Sequence, residues 1–268
     1  MATNYSKYIN SNGTHYISNS GSDENGNLHS GKAGDQNGKE WRLRSWYSRP
    51  WTCILRHPDA TVRRMLAEFG IDAALNDKIG YDQWQRYTYW DALTKSGYKP
   101  ANVNTACEAD CTAGVTANVK AIGHLLGIPK LANIAKDTRS STMRARFKAA
   151  DFKVLTEKKY LSGPDYLLPG DILLYDNHHA ATNITKGKKA VEPAEKPSTV
   201  AKQVQITGAT VNVRPAPGLT GRVVGIAKAG DMLPYQGENK TVLGRVWYLV
   251  EYANQNAWVS SKYSKIVG

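Results

Sequence analysis

A cysteine at the head of an amphipathic segment and a pair of adjacent histidines are the residues of this 268-residue chain best suited to covalent chemistry. In Asp110-Cys111-Thr112-Ala113-Gly114-Val115 the cysteine stands where a loop turns into a helix, whose unpaired N–H groups and dipole favour thiolate over thiol. A thiolate nucleophile needs a base within hydrogen-bond reach, and the base needs a partner to orient it. The adjacent pair His178-His179 supplies the candidate base. It follows Leu168-Pro169-Gly170-Asp171-Ile172-Leu173-Leu174-Tyr175 and so lies at a turn between two strands, where alternation puts one of the two imidazoles on the inner face.

The chain has three cysteines, Cys53, Cys107 and Cys111, too few and too unevenly placed for a disulfide framework. Cys53 and Cys107 are expected to be structural. A zinc amidase using Cys107, Cys111 and the histidines is the metal alternative, but Cys-x-x-x-Cys with adjacent histidines is poor ligand spacing, so neither metal nor cofactor is expected. The net charge of +12 predicts attraction to a polyanion, such as nucleic acid, an anionic membrane face or a teichoic-acid-bearing wall. No recognised nucleic-acid motif accompanies that charge. Met1 to Asn12 hold no apolar core of signal-peptide length, and nowhere do about 18 apolar residues run together. The expectation is a protein made in the cytoplasm, without a transmembrane segment.

The elements that must position these groups come in three textures. Thr14 to Arg56 alternates short apolar runs with Gly, Asn, Asp and Ser clusters, which predicts strands and loops. Helices are predicted from Pro58-Asp59 through Val62, Met65, Leu66, Phe69 and Ile71, from Tyr81 to Ser96, and from Thr112 to a stop at Gly127. Strands return at Phe152 to Leu155, Asp171 to Tyr175 and His179 to Ile184. The sum is an α+β domain whose sheet is assembled from both ends of the segment. Ala190 to Gln203, rich in Pro, charge and small residues, reads as a linker. Beyond it, Val204 to Val267 predicts a small all-β barrel or sandwich of about five strands.

Asp110-Cys111-Thr112-Ala113-Gly114, followed by Leu168-Pro169-Gly170-Asp171-Ile172 and His179-Ala180-Ala181, resembles the Asp-Cys-Ser-Gly and Pro-Gly-Asp…His signatures of NlpC-type papain-like cysteine peptidases, which cut peptidoglycan stem peptides. The nearest look-alikes are phage and prophage endolysins, in which a Gly-Tyr-Asp-Gln element precedes the cysteine; here it is Gly80-Tyr81-Asp82-Gln83. The likeness implies Cys111 as nucleophile and His179 as base. It departs from the usual order at the third position, because nothing suitable follows His179 before Lys186-Gly187-Lys188-Lys189. The segment from Tyr16 to Gly26, with Ala33 to Glu40 and Pro50 to Arg56, looks like the part that ends the catalytic domain in those endolysins. That implies a circular permutation with Asn19 as the orienting residue and His15, on the same strand face, in reserve. The family also implies that Asp110, Thr112 and Tyr81 bind the stem peptide, with Gln83 and Asp82 as further contacts. In such a hydrolase the oxyanion would be held by backbone N–H groups near the start of the Cys111 helix.

Val211-Asn212-Val213-Arg214-Pro215, Pro217-Gly218, Gly230-Asp231, Trp247-Tyr248 and Ala257-Trp258-Val259-Ser260-Ser261 resemble bacterial Src-homology-three-like wall-binding modules. The implied organisation is a papain-like cysteine hydrolase domain over 1–189, antiparallel sheet packed on helices, a linker over 190–203 and a wall-binding domain over 204–268. The implied activity is peptidoglycan hydrolysis, as a D-glutamyl-diamino acid endopeptidase or an N-acetylmuramoyl-L-alanine amidase of the same thiol mechanism. A non-catalytic wall binder is the alternative from another class. Peptidoglycan and anionic wall polymers are the partners expected, reached after release from the cell.

Overall fold

The computed structural model describes residues 3–29, 31, 39–193, 202–253 and 255–267. The chain divides into two compact units, Met1–Ser198 and Thr199–Gly268. Most of the expected linker, 194–201, lies outside the described residues. Of the remainder, Gln203 already belongs to a strand, and Glu192 forms an ion pair with Arg63.

In chain order the first unit contains α1 (Ser6–Ile9), β1 (Tyr16–Ser20), β2 (Trp41–Ser45), β3 (Cys53–Arg56), α2 (Ala60–Leu75), β4 (Ile79–Gly80), α3 (Thr88–Lys95), β5 (Cys107–Glu108), α4 (Cys111–Leu126), α5 (Pro129–Ala132), α6 (Ser140–Ala149), β6 (Lys153–Leu155), α7 (Lys158–Leu161), β7 (Ile172–Tyr175) and β8 (His179–Asn183). Six strands form one antiparallel sheet in the order β2-β1-β8-β7-β3-β6. The N-terminal strand and the strand that opens on His179 are neighbours, with Ile17 opposite Asn183 and Ser18 opposite Thr182.

Period-two alternation divides the sheet's apolar residues between two cores. Cys53, Leu55, Ile172, Leu174 and Ala180 meet α2, α3, α4 and α6 on one face. Ile17, Ile54, Leu173 and Ala181 meet Trp51 and Leu167 on the other. Helix α4 is the spine of the helical layer: every residue from Thr112 to Gly123 is buried, and the helix packs on β8 and β1 and against α2 and α3. Asp110 caps it by accepting from the Thr112 and Ala113 amides, an arrangement worth about 1 kcal/mol. Gly114 lets the Trp41 ring lie directly on the helix; a Cβ there would fall 2.6 Å from the ring. Trp41 is fixed in turn by its indole N–H, which donates to Ser18 Oγ at 2.8 Å.

The stretch from Tyr81 to Ser96 is not one helix. Asp82 accepts from the Trp84 and Gln85 amides, a side-chain turn that competes with helical hydrogen bonding and delays the helix to Thr88. The Pro169-Gly170-Asp171 turn is structural. Gly170 sits at φ +82° with its Cα against the Arg63 carbonyl, and buried Asp171 receives Arg56 through two hydrogen bonds of 2.7 and 2.6 Å.

The second unit contains β9 (Gln203–Ile206), β10 (Thr210–Val213), β11 (Gly225–Lys228), β12 (Met232–Val242), β13 (Arg245–Tyr252), β14 (Gln255–Ser260) and β15 (Ser264–Val267). A five-stranded sheet, β14-β13-β12-β9-β15, and the hairpin β10-β11 enclose a core of Val204, Ile206, Val211, Val213, Ala227, Val250, Ala257 and Val259. Seven strands therefore replace the five expected. The longest, β12, is mostly polar and exposed and carries Pro234 and Gly237, so it lacks the alternation that marks a strand. The molecule is an α+β unit followed by a small all-β unit. No helix among the described residues is long and apolar enough to cross a membrane.

Candidate active site

A short parallel pair brings the two motif segments together. Strand β4 pairs with β5, Gly80 opposite Glu108, and the Ala109 amide donates to the Gly80 carbonyl at 3.2 Å. Tyr81-Asp82-Gln83 thus leaves its strand beside Ala109-Asp110-Cys111. Ser20 Oγ at the end of β1 donates to the Ala109 carbonyl at 3.3 Å, tying the N-terminal strand to the same turn.

These segments surround a cavity of about 430 Å³ whose walls include Asn19, Tyr81, Gln83, Cys111 and His179. Cys111, the first residue of α4, is partly exposed there, while His179 and Asn19 are buried. Asn19 Oδ1 lies 2.8 Å from His179 Nε2 and also accepts from the Tyr47 hydroxyl at 3.2 Å. An amide oxygen only accepts, so the bond requires the imidazole proton on Nε2 and leaves Nδ1 unprotonated. Trp51, itself buried, is tilted against the imidazole with ring centroids 6.1 Å apart.

The electrostatics differ from the thiolate expected at a helix start. Burial, and next the Asp110 carboxylate, push the Cys111 thiol up to about 12. Burial, then Arg49 and Arg44, pull His179 down to about 3. Beside the burial, the cap adds to the effect on the thiol: Asp110 Oδ1 already takes the Thr112 and Ala113 amides at 2.9 and 2.7 Å, so the helix terminus spends its positive end on a carboxylate. Burial thus favours the uncharged form of each group.

Asp110 and Thr112, expected to touch substrate, do not line the cavity. Both are buried and face Arg86, which donates to Asp110 Oδ1 at 3.0 Å and Thr112 Oγ1 at 2.9 Å and closes an ion pair with Asp110. They hold the Cys111 turn. Tyr81 and Gln83 do line the cavity; Gln83 Nε2 donates to the Tyr81 hydroxyl at 3.0 Å. Burial, then Cys111, raises the Tyr81 hydroxyl above its ordinary range, which keeps it a neutral donor. Asp82 serves the turn already described. His15 is spent elsewhere, Nε2 2.7 Å from Asn183 Oδ1. His178 is exposed at the cavity rim and stacks on Tyr175 at 4.2 Å. The Cys107 thiol donates to the Lys78 carbonyl. Among the described residues no group of three or more His, Cys, Asp or Glu side chains could hold a metal ion.

Sequence reasoning missed the basic wall. Arg42 and Arg44 of β2, with Tyr47 and Arg49 after it, line the same cavity. The signal was present in Trp41-Arg42-Leu43-Arg44-Ser45, an alternation that buries Trp41 and turns the arginines to the other face.

The endolysin-like domain family model matches residues 17–190, a span containing Asn19, Cys111 and His179. The chain belongs to the endolysin-like domain family. The bacterial SH3 domain model matches residues 209–265, within the second unit. Nothing among curated proteins or solved structures matches the chain. An endolysin-like domain joined to a bacterial SH3 domain is the make-up of a protein that acts on the peptidoglycan wall. In this SH3 domain Trp247 and Trp258 are buried, and a cavity of about 410 Å³ is lined by Leu219, Arg245, Trp247 and Tyr263.

Proposed function

We propose that this endolysin-like protein hydrolyses an amide bond of the peptidoglycan stem peptide by thiol catalysis, on a circularly permuted papain-like domain. Cys111 is the nucleophile, His179 the base and Asn19 the residue that orients it. The observation that carries this reading is the 2.8 Å contact between His179 Nε2 and Asn19 Oδ1 in the wall of the cavity that also exposes Cys111. It fixes the tautomer whose Nδ1 can take a proton.

Since burial favours the uncharged form of each partner, the Cys111 proton passes to His179 Nδ1 as the sulfur attacks the carbonyl carbon. The imidazolium then protonates the leaving amine, and water, deprotonated by the same nitrogen, releases the acyl group from sulfur. With the Thr112 and Ala113 amides occupied by Asp110, the developing oxyanion falls to the Cys111 N–H and to Gln83 Nε2, which has a second hydrogen beyond the one given to Tyr81. Tyr81 and Gln83 are the substrate contacts.

The scissile bond joins D-glutamate to the diamino acid. The arginines in the cavity wall, which outnumber the one lining carboxylate among the described residues, Glu40, support that choice, since a stem peptide cut there carries carboxylates on both sides of the bond. The SH3 domain holds the enzyme on the wall. With eight basic against three acidic residues from 199 to 268, a net +5, it also suits anionic wall polymers. Mass analysis of muropeptides released from defined sacculi tests both parts. Fragments ending in D-glutamate are expected; free disaccharide with intact L-alanyl peptide would instead mean an amidase, and sacculi bound but uncut would mean a wall binder.

A further inference from the structure

Six arginines of the first unit, Arg56, Arg63, Arg64, Arg86, Arg144 and Arg146, each pair with a carboxylate. Among the described residues no ion pair is formed by Arg42, Arg44 or Arg49, and all three face the catalytic cavity. The register of β1 with β2 sets Arg42 opposite Asn19 and Arg44 opposite Ile17, on the catalytic face. The Arg44 guanidinium lies 4.3 Å over the Tyr47 ring and that of Arg49 5.9 Å from it, and Arg49 Nη1 donates to the Tyr47 hydroxyl at 3.4 Å. That hydroxyl donates to Asn19, so the two guanidiniums are anchored to the orienting residue of the catalytic pair. Their fields reach the reacting centre, for they are the two charges that most depress His179 protonation.

Guanidiniums held on an aromatic ring in a concave site, with no ion pair among the described residues, suit a planar anion. In the proposed substrate D-glutamate is linked through its side-chain carboxyl, so its α-carboxylate stands three carbons from the scissile carbonyl.

We infer that Arg44 and Arg49 form a subsite for this α-carboxylate, so that the protein selects stem peptides whose D-glutamate is a free acid over those in which it is amidated. The inference rests on the hydrolase reading above and adds a rule of substrate choice to it. Arg42, more exposed and opposite Asn19, adds charge without the Tyr47 anchor.

The test is equilibrium binding to the full-length Cys111→Ala chain of two synthetic tripeptides, L-alanyl-γ-D-glutamyl-L-lysine and its α-carboxamide. The acid is expected to bind about 10-fold tighter or more, as a charge-assisted bidentate contact should. Arg44→Gln with Arg49→Gln should erase the difference, and Arg44→Lys with Arg49→Lys should keep only part of it, since an ammonium supplies the charge without the planar fork. Equal affinities in the parent chain, no binding of either peptide, or a preference that survives the glutamine pair would each overturn the subsite. Should the glutamine pair unfold, the parent chain's two affinities and the lysine pair still decide. The hydrolase reading fails by a separate sign: sacculus lysis that persists in Cys111→Ala. Loss of lysis without any carboxylate preference would remove the subsite alone.

Discussion

The two units of this chain place their polar chemistry in opposite locations. In the endolysin-like unit it is inside: Asn19, Arg86, Asp110, Asp171, His179 and Asn183 are all buried and bound to one another or to backbone. In the SH3 unit the buried polar side chains among the described residues are Arg214, Ser260 and Ser264, while Leu219, Val223, Val224, Ile226, Met232, Leu243 and Tyr263 lie exposed. A site that makes and breaks bonds needs groups locked in a low dielectric, where an unpartnered polar atom is costly and each must find a mate. A surface that holds a polymer needs area facing outward. All six histidines belong to the first unit, so the units should also part company in how they answer to acid.

The largest effect that would break this division of labour is Cys111→Ala. It should lower lysis by about 10,000-fold or more while sacculus pull-down through the SH3 unit is unchanged, since removing a nucleophile deletes the covalent path. A lytic rate near that of the parent would end the assignment.

Acid separates the units next. His179 and His57 titrate in the folded chain at about 3 and about 4, below the ordinary value of 6.5. The unfolded chain therefore takes up their protons first. Their stabilisation is complete above about pH 6.5 and declines as pH falls from there toward 4 and 3. By pH 5 each should cost the first unit about 2 kcal/mol. Hydrogen exchange resolved on peptides of each unit should show faster opening of the first from pH 7 to 5, after correction for intrinsic exchange, with no histidine-linked change in the second. Equal sensitivity would contradict the assignment of these imidazoles as buried and neutral.

Asn19→Ala removes the acceptor on His179 Nε2 and should lower kcat by about 100-fold with KM little changed, because the imidazole loses its tautomer and aim. Gly114→Ala is the smallest. The added methyl meets the Trp41 ring, and overpacking there should cost about 2 kcal/mol, read as a lower denaturant midpoint for the first unit alone. Unchanged stability would mean that Trp41 yields freely and does not fix β2 against α4.

What could be read from the sequence follows the range over which each signal acts. Asp110-Cys111 at a helix start, Gly127 at its end and the strand after Pro169-Gly170-Asp171 are written in adjacent residues, and the structure shows α4 and β7 there. The neighbouring of β1 and β8 was legible only because the family resemblance left a gap after His179 that Asn19 filled. Contacts across long separations were not legible. Arg86, distant in the chain from Asp110, donates to that carboxylate and to Thr112, and no local pattern announces it. Nor did the helix start warn that its own cap would consume the amides expected to favour a thiolate. The arginines of β2 drew no reading from the sequence; the strand register sets Arg42 opposite Asn19.

Intact-protein mass measured after rapid acid quench during turnover of sacculi or stem peptide tests the thiol mechanism most directly. A mass gain equal to the acyl fragment ending in D-glutamate, mapped to the peptide containing Cys111 and missing from Cys111→Ala, is the predicted result. Product accumulating with no adduct, at the same rate in both chains, would contradict it.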